Sequence, residues 1–215
     1  MRFASRTTPA LFLILFAACA SGSRAQSVAT QARASDTSAK AQHTYTAADI
    51  SFMDGMIAHH AQALLMAGWA ASHGASPAVL TLTARITNAQ QDEIAGMQKW
   101  LRDRNQPVPE ANPHGMTMKM DGMEHTMLMP GMLTESQLKQ LDAARGKEFD
   151  RLFLTFMIQH HQGAVMMVKD LFDTYGAAQD VTVFKLASDI SADQTTEIER
   201  MQKMLASVIF GVSVQ

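Results

Sequence analysis

Apolar positions recur along this chain every three or four residues, the period of a helix buried on one side. In FMDGMIAHHAQALLMA, Phe52 to Ala67, the stripe runs through Phe52, Met56, Ala63 and Ala67 and continues to Ala70. In the next stretch it runs through Ile86, Ile94, Met97 and Leu101. Both stripes return. FLTFMIQHHQGAVMMV, Phe153 to Val168, repeats the first at a constant offset of 101, and Ile190, Ile198, Met201 and Leu205 repeat the second at 104. The chain is therefore two related halves, each a histidine motif followed by a glutamate motif, and two copies point to a pseudo-symmetric pair. No stretch shows sustained strand alternation.

Local signals bound the helices. Thr46 with Asp49, and Thr134 with Gln137, read as capping boxes, in which side chains satisfy the free N–H groups of a helix start. Ser76-Pro77 offers an N-cap and a proline at the first helical position. Gly74 and Gly176 read as left-handed stops. These signals predict helices from Thr46 to about His73, from Pro77 to about Arg104, from Thr134 to about Tyr175 with an irregularity near Gly146, and from about Asp180 to Ile209. Residues 105–133 hold four of the six prolines and read as a linker. The expected fold is all-α: an antiparallel four-helix bundle of two pseudo-symmetric helical hairpins, residues 45–104 and 134–210.

The N-terminus changes the setting. Arg2 and Arg6 precede a short apolar run, Ala10 to Ala18, too short to span a bilayer comfortably. Residues 1–25 read as a secretion signal cleaved after Ala25, which predicts an exported, periplasmic protein. A competing reading takes Ala17-Ala18-Cys19 as a lipoprotein signal, with Cys19 lipidated and the protein anchored to the envelope. Residues 26–44 are rich in Ser, Ala, Thr and Gln without periodicity and read as a flexible tether. Cleavage after Ala25 leaves 15 basic against 20 acidic residues, a net charge near −5, and no cysteine. Nucleic acid is excluded as a partner by the absence of any basic block. A soft metal would have to be held by Met and His.

Polar residues interrupt the apolar stripes at matching places. Asp49, His59 and His60 lie on the first stripe, and Asp150, His160 and His161 on its repeat. Gln90 and Glu93, then Gln194 and Glu197, do the same in the glutamate motifs. A carboxylate on a core stripe is costly unless paired or ligated. Four histidines, Glu93, Glu197 and up to two aspartates are thus expected in one interior, ringed by Met56, Met66, Met157 and Met167. Imidazole is the commonest protein metal ligand, which favours a metal site over a purely structural His–Glu network. For a core methionine such as Met56 or Met157, packing is the plainer role.

Methionine is the compositional anomaly: seven of 17 fall within HGMTMKMDGMEHTMLMPGM, His114 to Met132. Met116, Met118 and Met120 alternate, Met123, Met127 and Met129 follow, and His114 and His125 are interspersed. With no helical stripe to bury them, these thioethers read as exposed soft ligands suited to Cu(I), with imidazole extending the range to Cu(II) and silver binding similarly. The linker is expected to contribute no core face. Thioether binding is expected to resist acid, whereas histidine binding inside the bundle weakens as imidazoles protonate.

The twin Met-Ile-x-His-His motifs, each with a following Gln-x2-Glu-Ile-x2-Met, resemble the bacterial family called domain of unknown function 305, over about residues 45–209. The resemblance implies a ferritin-like four-helix bundle and kinship with exported copper-binding proteins of the CopM type, which contribute to copper tolerance. It places His59, His60, His160, His161, Met56, Met157, Glu93 and Glu197 at the family's motif positions. The Glu-x-x-His pairs of ferritin-like di-iron enzymes are absent: Gly96 follows Glu93 and Arg200 follows Glu197 at that spacing. The expected function is copper sequestration, tolerance or transfer without catalysis, with a metal ion and another copper-handling envelope protein as partners. A metal-dependent redox enzyme and a metal-free structural module of the envelope are the alternatives.

Overall fold

The computed structural model describes residues 45–120 and 122–211. The export signal, Cys19 and the tether lie outside the described residues. Each half folds as a pair of long helices: α1 (Ala47–Gly68) with α2 (Pro77–Asp103), and α4 (Gly146–Asp173) with α5 (Val181–Phe210). The hairpins meet along α1 and α4. Between them lie two strands, β1 (Met116–Met120) and β2 (Met123–Met127), and a short helix, α3 (Glu135–Ala143). The described residues are thus mostly helical, with one small antiparallel sheet.

The capping boxes at Thr46 and Thr134 are formed, and Ser76 and Asp180 cap α2 and α5. Two helix ends differ from expectation. α1 stops at Gly68, and turns carry the chain on to Gly74 at φ +69°. The long third helix is broken: Ala144 and Arg145 are extended, and the backbone N–H of Gly146 donates to the carbonyl of His73 at 2.8 Å. His73 also bonds Asp142 of α3, so the break docks on the α1–α2 turn.

The core is in two parts. One cluster joins Phe52, Met56 and Ile57 of α1 to Met97, Trp100 and Leu101 of α2, Ala164 and Leu171 of α4, and Ile190 of α5. The other joins Ala63 and Met66 to Leu82 and Ile86, Phe149, Phe153 and Met157, and Met201. All four long helices contribute to both clusters, and the histidine motifs fall between them along α1 and α4.

Asp49 and Asp150 do not join the four histidines in the interior. Both are buried, but each caps the turn of the opposite hairpin. Asp49 Oδ1 accepts from the N–H of Ala178 at 2.7 Å, and Asp150 accepts from the N–H of Ser76 at 3.1 Å. They lie about ten residues, or roughly 15 Å, from the histidines along their own helices. Backbone donors at two tight turns, not a metal, offset the burial of these carboxylates.

The linker also departs from expectation. It forms a β-hairpin, with Met116 opposite Met127, Met118 opposite His125 and Met120 opposite Met123. Its C-terminal part does contribute to the core. Met132 is buried, and Met129 packs against the first cluster. Gln62, fully buried on α1, clamps the segment: its amide donates to the carbonyls of Pro113 and Leu133 and accepts from the N–H of Leu133. Two glycines make room. A Cβ on Gly55 would lie 2.9 Å from Met129 Sδ, and one on Gly163 would lie 2.0 Å from the Pro130 carbonyl oxygen.

Gly163→Ala should therefore lift the 130–131 segment off α4 and cost about 1–3 kcal/mol, because backbone atoms cannot yield as a flexible side chain does. Gly96→Ala, where a Cβ meets nothing within 4 Å, should stabilise the protein by roughly 0.5–1 kcal/mol. Urea denaturation of the two variants checks the contrast, and equal effects would discard the close-approach explanation.

Candidate metal sites

His59 and His60 sit at the middle of α1, and His160 and His161 at the middle of α4; all four are fully buried. The pairs are brought together where α1 and α4 cross, with the rings of His59 and His160 3.8 Å apart between centroids. His60 and His161 point the other way, toward α2 and α5. The Nε2 of His60 lies 2.7 Å from Glu93 Oε2, and that of His161 lies 2.7 Å from Glu197 Oε2. His59 Nε2 lies 3.0 Å from the carbonyl oxygen of Pro130. Met56 and Met157 are fully buried one turn away, one in each apolar cluster.

These bonds place ring protons. A carbonyl or a carboxylate accepts, so the Nε2 of His59, His60 and His161 carries a proton, and in His59, which burial keeps neutral, Nδ1 keeps the lone pair. None of those three Nδ1 atoms has a hydrogen-bond partner, and His160 has none beyond a marginal contact with the backbone of His59. A histidine whose far nitrogen is held by a carboxylate or carbonyl is the usual arrangement around a bound metal. Glu93 and Glu197 each orient an imidazole through one carboxylate oxygen. Among the described residues, no group of three or more His, Cys, Asp or Glu side chains is gathered to hold a metal ion.

Burial dominates the electrostatics. It lowers His59 to about 3, helped by the charge of His60 and opposed by the hydrogen bond to Pro130. It also drives His160 well below the usual range, aided by His59, His161 and His60. Burial thus holds both imidazoles neutral at physiological pH, and that of His59 remains so at pH 5.

The hairpin brings the linker ligands together differently. Alternation along paired strands places Met116, Met118, Met120, Met123, His125 and Met127 at positions of one face, with Thr117, Lys119, Glu124 and Thr126 at positions of the other. Met123 and Met127 are 62% and 46% exposed, and His125 and His114 are exposed too. Met129 does not belong to this face; its sulfur is turned toward Gly55 and its backbone N–H toward Met132 Sδ. Asp54 was not singled out from the sequence. It lines a cavity of about 480 Å³ with Glu110, Asn112 and Met116 at the foot of the hairpin, and burial raises its carboxyl. No signal in the sequence marks it, since its role depends on where the linker lands.

A family model described as Domain of unknown function (DUF305) matches residues 49–205. No curated protein matches the chain. Among solved structures, a DUF305 protein from Streptomyces coelicolor is 28% identical with a TM-score of 0.63, covering 75% of this chain and 93% of that one. A DUF305 fragment from Deinococcus radiodurans is 28% identical at 0.61, covering 75% and 97%. CopM in its Cu(II)-bound form is 31% identical at 0.56, covering 74% and 96%; CopM has also been solved with Cu(I) and with silver.

The lowered histidines predict how the metal-free protein responds to acid. The unfolded chain takes up protons near 6.5, whereas folded His59 does so only near 3. Stability is therefore full above about pH 6.5 and is lost as pH falls toward 3. Urea unfolding at pH 7 and pH 5 should differ by about 2 kcal/mol on account of His59, and His160 should add to the difference in the same direction. His160→Leu should flatten that dependence, and an unchanged slope would remove His160 from the account.

Proposed function

The chain belongs to the DUF305 family, and we propose that it is an exported copper-binding protein that captures Cu(I) on the methionine face of its linker hairpin, for sequestration or transfer. The observation that carries this reading is the strand register. It puts five methionines and a histidine at positions of one face of a two-stranded ribbon, with Met123, His125 and Met127 exposed. Thioether is a soft donor, and at exposed positions it gains nothing from packing; a soft monovalent ion is the partner that uses it. Silver shares this chemistry. The CopM structures with copper and silver support the same assignment at the level of the family.

The buried histidine layer is a second candidate site. Nδ1 lone pairs fixed by Glu93, Glu197 and Pro130 suit a borderline metal such as Cu(II) more than a thioether face does. A structural network accounts for the two His–Glu bonds but leaves His160 with no more than its marginal contact to the backbone of His59. Capture and release require no turnover, and no catalytic role is proposed for any residue. Export, with or without a lipid on Cys19, fits a protein with no cysteine after residue 25.

Anaerobic Cu(I) titration against a chelator competitor tests the reading. The wild-type protein should withdraw Cu(I) from the chelator. A variant with Met116, Met118, Met120, Met123 and Met127 changed to Leu should bind about tenfold or more weakly with helicity unchanged. Removing only sulfur avoids disturbing Met129 to Leu133, which a deletion of the whole linker would uproot from the core. Full Cu(I) affinity in the five-leucine variant would move capture away from the hairpin.

A further inference from the structure

On the side of the helices where α2 faces α5, a groove of about 120 Å³ is lined by Arg85, Gln90 and Glu93 of one half and by Asp193, Gln194 and Glu197 of the other. Gln90 is 2% exposed, and neither its amide oxygen nor its amide nitrogen has a partner. Gln194, its repeat, is 3% exposed with an unpartnered Oε1. Burying an amide in this state costs about 1–3 kcal/mol, so two such amides at matching positions of one groove point to something they bind. Three carboxylates share the groove with one guanidinium. Their fields overlap: slight desolvation and then the charges of Glu93 and Glu197 raise the carboxyl of Asp193, which is itself exposed. Glu93 and Glu197 use Oε2 on their histidines, and their side chains remain 15% and 13% exposed.

We propose that this α2–α5 groove is a binding site for a hydrated divalent cation of the Mg²⁺ or Mn²⁺ type, held by the carboxylates of Glu93, Asp193 and Glu197 and the amide oxygens of Gln90 and Gln194. The donors are all oxygen, which selects hard cations over the soft ions suited to the hairpin. No three of the acidic side chains are gathered into a ready inner shell, so the ion keeps part of its water and reaches the carboxylates through it. Small divalent ions shed water reluctantly and bind in this way. A cation here offsets the repulsion among the three carboxylates. Because Glu93 and Glu197 also hold His60 and His161, it sits directly behind the buried imidazoles. The inference does not depend on copper capture by the hairpin.

Mn²⁺ is the probe. Chelator-treated protein should bind one Mn²⁺ per chain, read as loss of the free-ion electron paramagnetic resonance signal. Asp193→Asn and Gln90→Leu should each weaken binding at least about tenfold. Gln90→Leu removes a buried amide without a partner, so the metal-free protein should melt no lower than wild type while losing its stabilisation by Mn²⁺. If that variant proves unstable, Asp193→Asn, at an exposed position, decides alone. The five-leucine hairpin variant should bind Mn²⁺ as wild type does. The proposal is overturned by no binding up to about millimolar Mn²⁺, by undiminished affinity in Asp193→Asn, or by loss of binding in the hairpin variant.

Discussion

An imidazolium cannot be adequately solvated at the centre of this core, and that restriction shapes what surrounds it. The rings of His59 and His160 lie against each other at a tilt of 37° where α1 and α4 cross, with apolar clusters on both sides. Each must stay neutral, which fixes one ring nitrogen as a donor and the other as an acceptor. The donors of His59, His60 and His161 are spent on Pro130, Glu93 and Glu197. Glu93 and Glu197 thereby tie α2 to α1 and α5 to α4 at the level where apolar packing is interrupted. The same neutrality leaves lone pairs pointing into a dry interior, the condition a metal ligand requires and a purely structural core avoids.

Duplication explains the layer but not the whole molecule. Asp49 and Asp150 repeat faithfully, each reaching across to the backbone of the other hairpin's turn, so the halves are bolted together twice by one device. Symmetry breaks where the linker lies. Gly55 stands where the second half has Phe156, and Gly163 stands where the first half has Gln62. Each departure serves one segment. Gly55 admits Met129, Gly163 admits the Pro130 backbone, and Gln62 ties down Leu133. The carbonyl that orients His59 belongs to that segment, so one of the four buried imidazoles is positioned by sequence that lies outside the repeat.

Helix-scale features were legible in the sequence because they depend on neighbours in the chain. The capping residues Thr46, Ser76 and Thr134 act within three positions of themselves, and the histidine and glutamate motifs declare their shared stripe. Asp49 was misplaced because a helical wheel gives angle and not height, and it sits about three turns from His59. The hairpin was missed for a different reason. Met116, Met118 and Met120 alternate with Thr117 and Lys119, and Asp121-Gly122 is a strong two-residue turn signal. The alternation runs for only five residues on each side of the turn and carries none of the β-branched or aromatic residues that mark strands beyond Thr117 and Thr126, so it does not stand out as a strand. The burial of Met129 was not legible at all, because it depends on Gly55, 74 residues away.

The two soft-ligand regions differ in what holds them open. On the hairpin face, water competes weakly for a thioether, so exposure costs little and a metal can arrive directly from solvent. In the buried layer, every ring nitrogen without a partner is a debit of about 1–3 kcal/mol that the apolar clusters must carry. Such a debit persists in a chain only when something else depends on the unpaired groups, and both halves retain theirs at equivalent positions. Pro130 stands between the two regions: its carbonyl oxygen accepts from the ring of His59, and only Leu128 and Met129 separate it from the end of β2 at Met127, so the one buried imidazole held by the linker is held three residues from the hairpin.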